Sequence, residues 1–265
     1  MKDGFGRTIN YLRVSVTDRC NLRCQYCLPQ EGISWLEPGQ LLSYEEIAGV
    51  VRVGSEMGIS KVRITGGEPL VRRNIVSLVV MLAATPGIND LSLSTNGVLL
   101  AQHARELTAA GLQRVNVSLD TLDPAVYRRI TGGELEQALA GIAAARSAGL
   151  NPVNLNCVVT ESSDEPDARS VAQFAREQGL VVRFIRRMSL RAGTFSIVEN
   201  GSGGDCPRCN RLRLSCAGVV RPCLFSDLGF SVREYGARGA LERAVQAKPR
   251  RGAPCNLSTI GAIGG

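Results

Sequence analysis

The chain has 265 residues, 44% hydrophobic and 5% aromatic, with nine cysteines, one histidine and a formal net charge of +7. That length can bury one large core, which admits a barrel-sized domain alone or with a small appendage. No run approaches the ~18 apolar residues of a membrane span, and MKDGFGRTIN lacks the apolar core and cleavage site of a secretory signal. A cytoplasmic protein with no membrane partner is therefore expected. No basic run is interleaved with stacking rings, so a nucleic-acid partner is not expected either, and the positive charge points to a compact anion. An odd number of cysteines in a reducing compartment favours metal binding over disulfides.

Along the chain a unit recurs: a helix-like segment, a glycine, then a β-branched run. EMGISKVRI, TPGINDLSL, AAGLQRVNV, SAGLNPVNL and EQGLVVRF place Gly58, Gly87, Gly111, Gly149 and Gly179 where a left-handed residue ends a helix. Strands are predicted near 11–16, 61–65, 91–95, 114–119, 152–159 and 181–186, each apolar enough to be buried on both faces. Helices are predicted near 98–110, 134–148 and 166–178, and Ser43 with Glu46 forms a capping box before an earlier one. Repeats of roughly 30 residues are those of βα units. The fold class expected is α/β: a partial (βα)6 barrel of the TIM type, with a small C-terminal iron-sulfur cluster region. The pattern breaks after Met188 into the glycine-rich SLRAGTFSIVENGSGGD, then further cysteines and an irregular basic tail. A boundary near residue 190 separates a barrel over 1–190 from a second-cluster and substrate-binding region over 191–265.

Cys20, Cys24 and Cys27 make C-x3-C-x2-C directly after the first strand. Three thiolates can hold three irons of a 4Fe-4S cluster and leave the fourth open. An open iron can chelate the amino and carboxylate groups of S-adenosylmethionine (SAM). A zinc knuckle is the alternative. The position after the first strand of a parallel βα series, on the face where such folds keep their active sites, favours the cluster.

That cysteine spacing, with Tyr26 before the last cysteine and TGGEP over 65–69, resembles the radical SAM superfamily. The resemblance implies that Gly66, Gly67 and Glu68 receive the SAM amino group, the glycines letting a ligand approach the backbone. STNG from Ser94 and NVSLD from Asn116 fall at strand ends in the superfamily's register. Tyr26, Ser94, Thr95, Ser118 and Met188 are thereby further candidates for holding SAM. Taken singly, such serines are more often helix caps.

Cys206, Cys209 and Cys223 form C-x2-C-x13-C within CPRCNRLRLSCAGVVRPCLF. With VTDRCN, KVRITGGEPL, RFI and the terminal Gly264 and Gly265, this run resembles the GTP 3',8-cyclases of molybdenum cofactor biosynthesis. The resemblance implies two 4Fe-4S clusters, with guanine on the open iron of the second and cations on the triphosphate. Arg19, Lys61, Arg63, Asn154, Arg183, Arg211 and Arg213 are its candidate substrate residues. Arg19, Arg211 and Arg213 join Cys20, Cys24 and Cys27 as the catalytic set. A deoxyadenosyl radical would remove hydrogen from C3' of GTP, the carbon radical would attack C8 of guanine, and the GG tail would reach into the site. The partners expected are GTP or another anionic small substrate, an external electron donor and, in a homodimer, a second copy. Cys157, Cys216 and Cys255 are read as non-ligands, and His103 as a surface residue.

The chain departs from the family in three places. Only 17 residues separate Met188 from Cys206, where the family carries a longer segment. Asn154 stands where a lysine is usual, and Arg186 where a glutamate is usual; a buried Arg186 would need an anion or acidic partner. Three readings stay open: a trimmed GTP cyclase, a paralogue acting on another nucleotide or peptide, and an iron-sulfur protein that binds clusters or carries electrons without turnover.

Overall fold

The computed structural model describes residues 1–27 and 35–256; the terminal Gly264 and Gly265 lie outside them. Five βα units and a sixth strand run in order: β1 (Tyr11–Ser15), α1 (Tyr44–Glu56), β2 (Lys61–Thr65), α2 (Ile75–Ala83), β3 (Asp90–Thr95), α3 (Leu100–Ala109), β4 (Arg114–Ser118), α4 (Pro124–Thr131), α5 (Leu135–Ser147), β5 (Val153–Val159), α6 (Pro166–Glu177) and β6 (Val181–Arg186); the sixth unit expected lacks its helix among the described residues. The capping box forms: Glu46 N–H donates to the Ser43 hydroxyl at 3.1 Å, and Ser43 N–H donates to the Glu46 carboxylate at 2.7 Å. The five expected helix-ending glycines all have positive φ, Gly111 at 97° for example.

The strands are parallel in the order β6-β5-β4-β3-β2-β1. The order does not stop at β1. The segment after the second cysteine pair supplies β7 (Arg211–Leu214), which pairs in parallel with the free edge of β1, and then antiparallel β8 (Val219–Arg221) and β9 (Phe230–Ser231). The tail expected to be irregular instead folds into α7 (Val232–Gln246), kinked at Gly236, whose Ala240, Leu241, Ala244 and Val245 are buried. The C-terminal region thus continues the sheet of the barrel.

Burial of the strands on two apolar faces does not hold. Leu12, Val14, Val62, Ile64, Leu91, Leu93, Val115 and Val117 are fully or almost fully buried beneath the helices, beside Ile47, Val51, Leu78 and Leu107. Each such side chain contributes roughly 1.5–3 kcal/mol. The alternate residues Tyr11, Arg13, Lys61, Arg63, Ser94, Arg114, Ser118, Arg183, Arg211 and Arg213 line a cavity on the other face. Two-residue periodicity sends one set out to the helices and the other into a polar interior. No helix among the described residues is long and apolar enough to cross a membrane.

Cys255, read as a non-ligand, is buried in a second apolar cluster with Leu190, Leu224 and Phe225, packed against Met188, Phe195 and Cys223. His103 lies on the helix α3, with a partly exposed side chain 4.0 Å from the exposed Glu106.

Candidate active site

The strand ends and the β6–β7 connection enclose a cavity of about 710 Å³. Both cysteine trios face it, Cys20, Cys24 and Cys27 from the β1 loop and Cys206, Cys209 and Cys223 from around β7. Some 180 residues of chain separate the trios. The β1–β7 pairing, Tyr11 opposite Arg211 and Arg13 opposite Arg213, brings them to one space.

The loop carrying the first trio is held from two sides. Gly67 N–H donates to the Thr17 carbonyl and Glu68 N–H to the Arg19 carbonyl, each at 2.8 Å. A Cβ on Gly67 would lie 2.2 Å from the Arg19 carbonyl oxygen, and one on Gly66 2.7 Å from that of Thr17. The glycine pair is therefore required by contact between two loops; the space next to its α-carbons belongs to the β1 loop rather than to a ligand, although both residues line the cavity. On the other side Arg23 and Gln25 N–H donate to the carbonyls of Thr131 and Ile130 at the end of α4. Tyr26 Oη donates to Asp120 at 2.5 Å, and Val158 N–H donates to the same carboxylate at 2.8 Å. The Asn96 amide donates to Cys20 Sγ at 3.8 Å. A thiol-thiol hydrogen bond pushes Cys24 up and Cys27 down.

Glu68, expected at the SAM amino group, is buried away from the cavity lining. Its carboxylate accepts from Leu70 N–H at 3.0 Å, Thr95 Oγ1 at 2.8 Å and Asn96 N–H at 2.7 Å, and so ties the end of β2 to the end of β3. Burial nevertheless pushes it up to about 7. Ser94, Thr95, Ser118, Tyr26 and Met188 do line the cavity, and the buried Ser94 hydroxyl has no hydrogen-bond partner among the described residues.

The cations fall in rows across the strands. Register puts Arg213, Arg13 and Arg63 side by side on β7, β1 and β2, with Arg211, Tyr11 and Lys61 one step below. Arg63 and Arg211 lie over the Tyr11 ring, 5.6 and 5.7 Å from its centroid, which softens the burial of both. Arg114 takes up Asp90 with two bonds of 2.8 Å, and Lys61 stands 3.9 Å from the same carboxylate. Burial pushes Arg13, Arg63, Arg183 and Arg213 below the usual arginine value, Arg213 to about 10, and neighbouring guanidinium groups add to each shift. Two unit charges about 5 Å apart repel by about 3 kcal/mol at an effective dielectric of 20. Ten basic and three acidic side chains line the cavity, so it is built to receive several negative charges.

Two readings of single residues need correction. The Arg19 side chain is exposed and outside the cavity lining, and only its backbone takes part, in the contact with Gly67. The arginine that β1 does point inward is Arg13. Asn154 is also outside the lining; it is buried and donates to Asn116 at 3.4 Å, and Asn116 Oδ1 accepts from Arg183 Nη1 at 2.7 Å. Arg186 lines the rim of the cavity half exposed and has the acidic partner expected of it, Glu161 at 2.9 Å. Arg13, Asn96, Arg114 and Lys248 line the cavity although their motifs did not single them out. Alternation along β1 was the available signal for Arg13, two residues from Tyr11 and two from Ser15.

None of the nine cysteines is disulfide-bonded. Cys157 and Cys216 are buried outside the lining, with burial pushing the Cys216 thiol up to about 11. Among the described residues no three His, Cys, Asp or Glu side chains gather closely enough to hold a single metal ion. A 4Fe-4S cube spreads its thiolates over different irons. The all-sulfur donor sets of both trios suit such cubes. Polar atoms in the cavity wall without a hydrogen-bond partner among the described residues, Tyr11 Oη, Ser94 Oγ and Arg183 Nε, suit a polar ligand between them.

A parallel βα barrel with three cysteines at the end of its first strand is the arrangement of one enzyme class, and the sequence profile of the Radical SAM superfamily matches residues 14–175. SuiB of Streptococcus suis, solved bound to S-adenosylmethionine, superimposes with a TM-score of 0.57 at 18% identity, over 69% of this chain and 41% of that one. Two curated relatives are more similar in sequence. The GTP 3',8-cyclase of Petrotoga mobilis is 40% identical over 302 aligned positions, covering 94% of each chain. That of Geobacter sulfurreducens is 39% identical over 94% of this chain and 93% of its own. The chain belongs to the radical SAM superfamily and, within it, to the family of GTP 3',8-cyclases. An alignment of 302 positions against 265 residues also means that these relatives carry insertions absent here.

Proposed function

We propose that this chain catalyses the radical conversion of GTP to 3',8-cyclo-GTP, the first step of molybdenum cofactor biosynthesis, using SAM and two 4Fe-4S clusters. The observation that carries the reading is the row Arg213-Arg13-Arg63, set across β7, β1 and β2 in one cavity with both cysteine trios. In this reading Cys20, Cys24 and Cys27 hold the first cluster, and Cys206, Cys209 and Cys223 the second. The division near residue 190 then separates the SAM-binding barrel from the second-cluster region. When bound, SAM and the first cluster supply a one-electron cleavage of a carbon-sulfur bond, for which an external electron donor is required.

Gly67, Ser94, Thr95, Ser118 and Met188 line the SAM side of the cavity. Tyr26 takes part through its contact with Asp120, which fixes the cluster loop against β4 and β5. Arg13, Lys61, Arg63, Arg183, Arg211 and Arg213 face the substrate side. A triphosphate carries several charges on closely spaced oxygens, and planar guanidinium donors on neighbouring strands match that spacing with paired, charge-assisted hydrogen bonds. Binding replaces cation-cation repulsion by attraction, so the unfavourable packing of the empty site strengthens the hold on the anion. Asn116 braces Arg183 through the 2.7 Å bond, and Asn154 braces Asn116. The lysine charge usual at 154 is thereby exchanged for a fixed arginine orientation.

The test is anaerobic reconstitution with iron and sulfide, then SAM and reductant with and without GTP, followed by mass spectrometry. GTP-stimulated 5'-deoxyadenosine together with cyclised GTP is the expected result. Deoxyadenosine without a GTP-derived product would move the assignment to another anionic substrate, and the short β6–β7 connection would then be the first place to look.

A further inference from the structure

Behind the second trio the structure places two buried cations from opposite ends of the chain. Lys248, just after α7, is 3% exposed. Its Nζ donates to the Arg211 carbonyl at 2.6 Å and the Pro222 carbonyl at 2.8 Å. Arg211 is two residues from Cys209, and Pro222 directly precedes Cys223. One ammonium group therefore stitches together the two segments that carry those cysteines. Arg7 completes the arrangement: its Nη1 donates to the Cys206 carbonyl at 2.8 Å, its Nη2 to the Pro249 carbonyl at 2.7 Å, and Asp3 holds its Nε at 2.5 Å. All three cysteines are thus anchored from outside their own run.

A buried ammonium is costly unless its donors are satisfied and its charge is met. Two carbonyls satisfy the donors. The sulfurs of Cys209 and Cys223 lie close enough to act on its charge, with Arg7 opposing them.

We propose that Lys248 is a positioning residue of the second iron-sulfur cluster, which holds the Cys209 and Cys223 segments in place and raises the cluster's reduction potential through a fixed positive charge at Cys209. The proposal rests on the reading of Cys206, Cys209 and Cys223 as ligands. Its physics is direct: reduction adds one negative charge, so a nearby fixed cation stabilises the reduced state more than the oxidised one. Neither effect acts on the first cluster, whose loop Lys248 does not touch.

The test uses reconstituted protein and needs no turnover. Lys248→Met removes charge and donors, Lys248→Gln keeps donors without the charge, and Lys248→Arg keeps both. EPR-monitored redox titration gives the midpoint of each cluster, the first being identified by its response to SAM, and a chelator challenge gives the rate of iron loss. Met and Gln are expected to move the second midpoint to more negative potential, and Met to lose second-cluster iron at least tenfold faster. The first cluster should be unchanged, and Arg should recover the wild-type midpoint. An unmoved second midpoint, an equal shift in both clusters, or loss of both clusters in all three variants overturns the proposal; the last would make Lys248 a residue of general folding. The ligand reading is tested separately by Cys206→Ala/Cys209→Ala/Cys223→Ala, which should lose half the iron; full retention would remove that reading and leave the anchoring contacts without a cluster to serve.

Discussion

Replacing Gly67 by alanine tests the claim that a loop-to-loop contact holds the first cysteine trio. The added Cβ would sit 2.2 Å from the Arg19 carbonyl oxygen and 2.7 Å from that of Asp18, both backbone atoms. A normal contact would require the two loops to part by about 1 Å, judged against the 3.0 Å that real Cβ atoms respect. Parting strains the bonds from Gly67 N–H to Thr17 and from Glu68 N–H to Arg19, both 2.8 Å. Each buried bond contributes about 1 kcal/mol, and each group left unsatisfied costs about 1–3 kcal/mol. Gly67→Ala should therefore destabilise the cluster-free protein by about 3 kcal/mol, and in reconstituted protein the first cluster should be lost while the second stays. Urea denaturation read as midpoint and slope, with iron counted by cluster, measures both. A Gly67→Ala protein within about 0.5 kcal/mol of the wild type, with both clusters loaded, would refute the reasoning.

Glu68 gives a pH signature. Burial raises it from an ordinary value near 4.5 to about 7, so the folded state binds its proton more firmly than the unfolded chain. Its contribution to stability is complete below about pH 4.5 and is lost as pH rises through 7, a change of about 3 kcal/mol at ~1.4 kcal/mol per pH unit. The stability difference between wild type and Glu68→Gln should move across that window in the direction that weakens the wild type at high pH; a difference independent of pH would contradict it. Arg63→Gln should weaken GTP binding by about tenfold to a hundredfold, from the ~1.5–3 kcal/mol of a charged hydrogen bond, and make the cluster-free fold more stable by relieving the row of like charges. Calorimetry and urea denaturation read the two effects, and a variant that loses both affinity and stability would show Arg63 to be a packing residue. Tyr26→Phe leaves the Asp120 carboxylate with Val158 N–H as its one remaining hydrogen-bond donor in the described structure. It should cost about 1–2 kcal/mol and speed iron release from the first cluster only, and release at the wild-type rate would count against the brace.

Both cysteine trios, the six parallel strands, the capping box at Ser43 and the helix-ending glycines were legible in the sequence, because each is a local pattern whose chemistry is fixed by spacing along a few residues. What the residues between those patterns do depended on which strand lies beside which. Arg13 and Arg19 read alike in sequence; strand alternation and the pairing of β1 with both β2 and β7 put the first in the cavity and leave the second to its backbone. Gly67 and Glu68 stand in a recognisable motif, yet their surroundings are loop contacts and buried hydrogen bonds made with residues tens of positions away. The widest gap concerns β7. Nothing local in RLRL says that it will close against β1 some 200 residues earlier. That parallel pairing joins two separate cysteine trios and two half-rows of arginine into one site, because side chains on neighbouring strands in register point the same way. Composition and motif determined which chemistry this chain can perform; the long-range register decided where its charges meet.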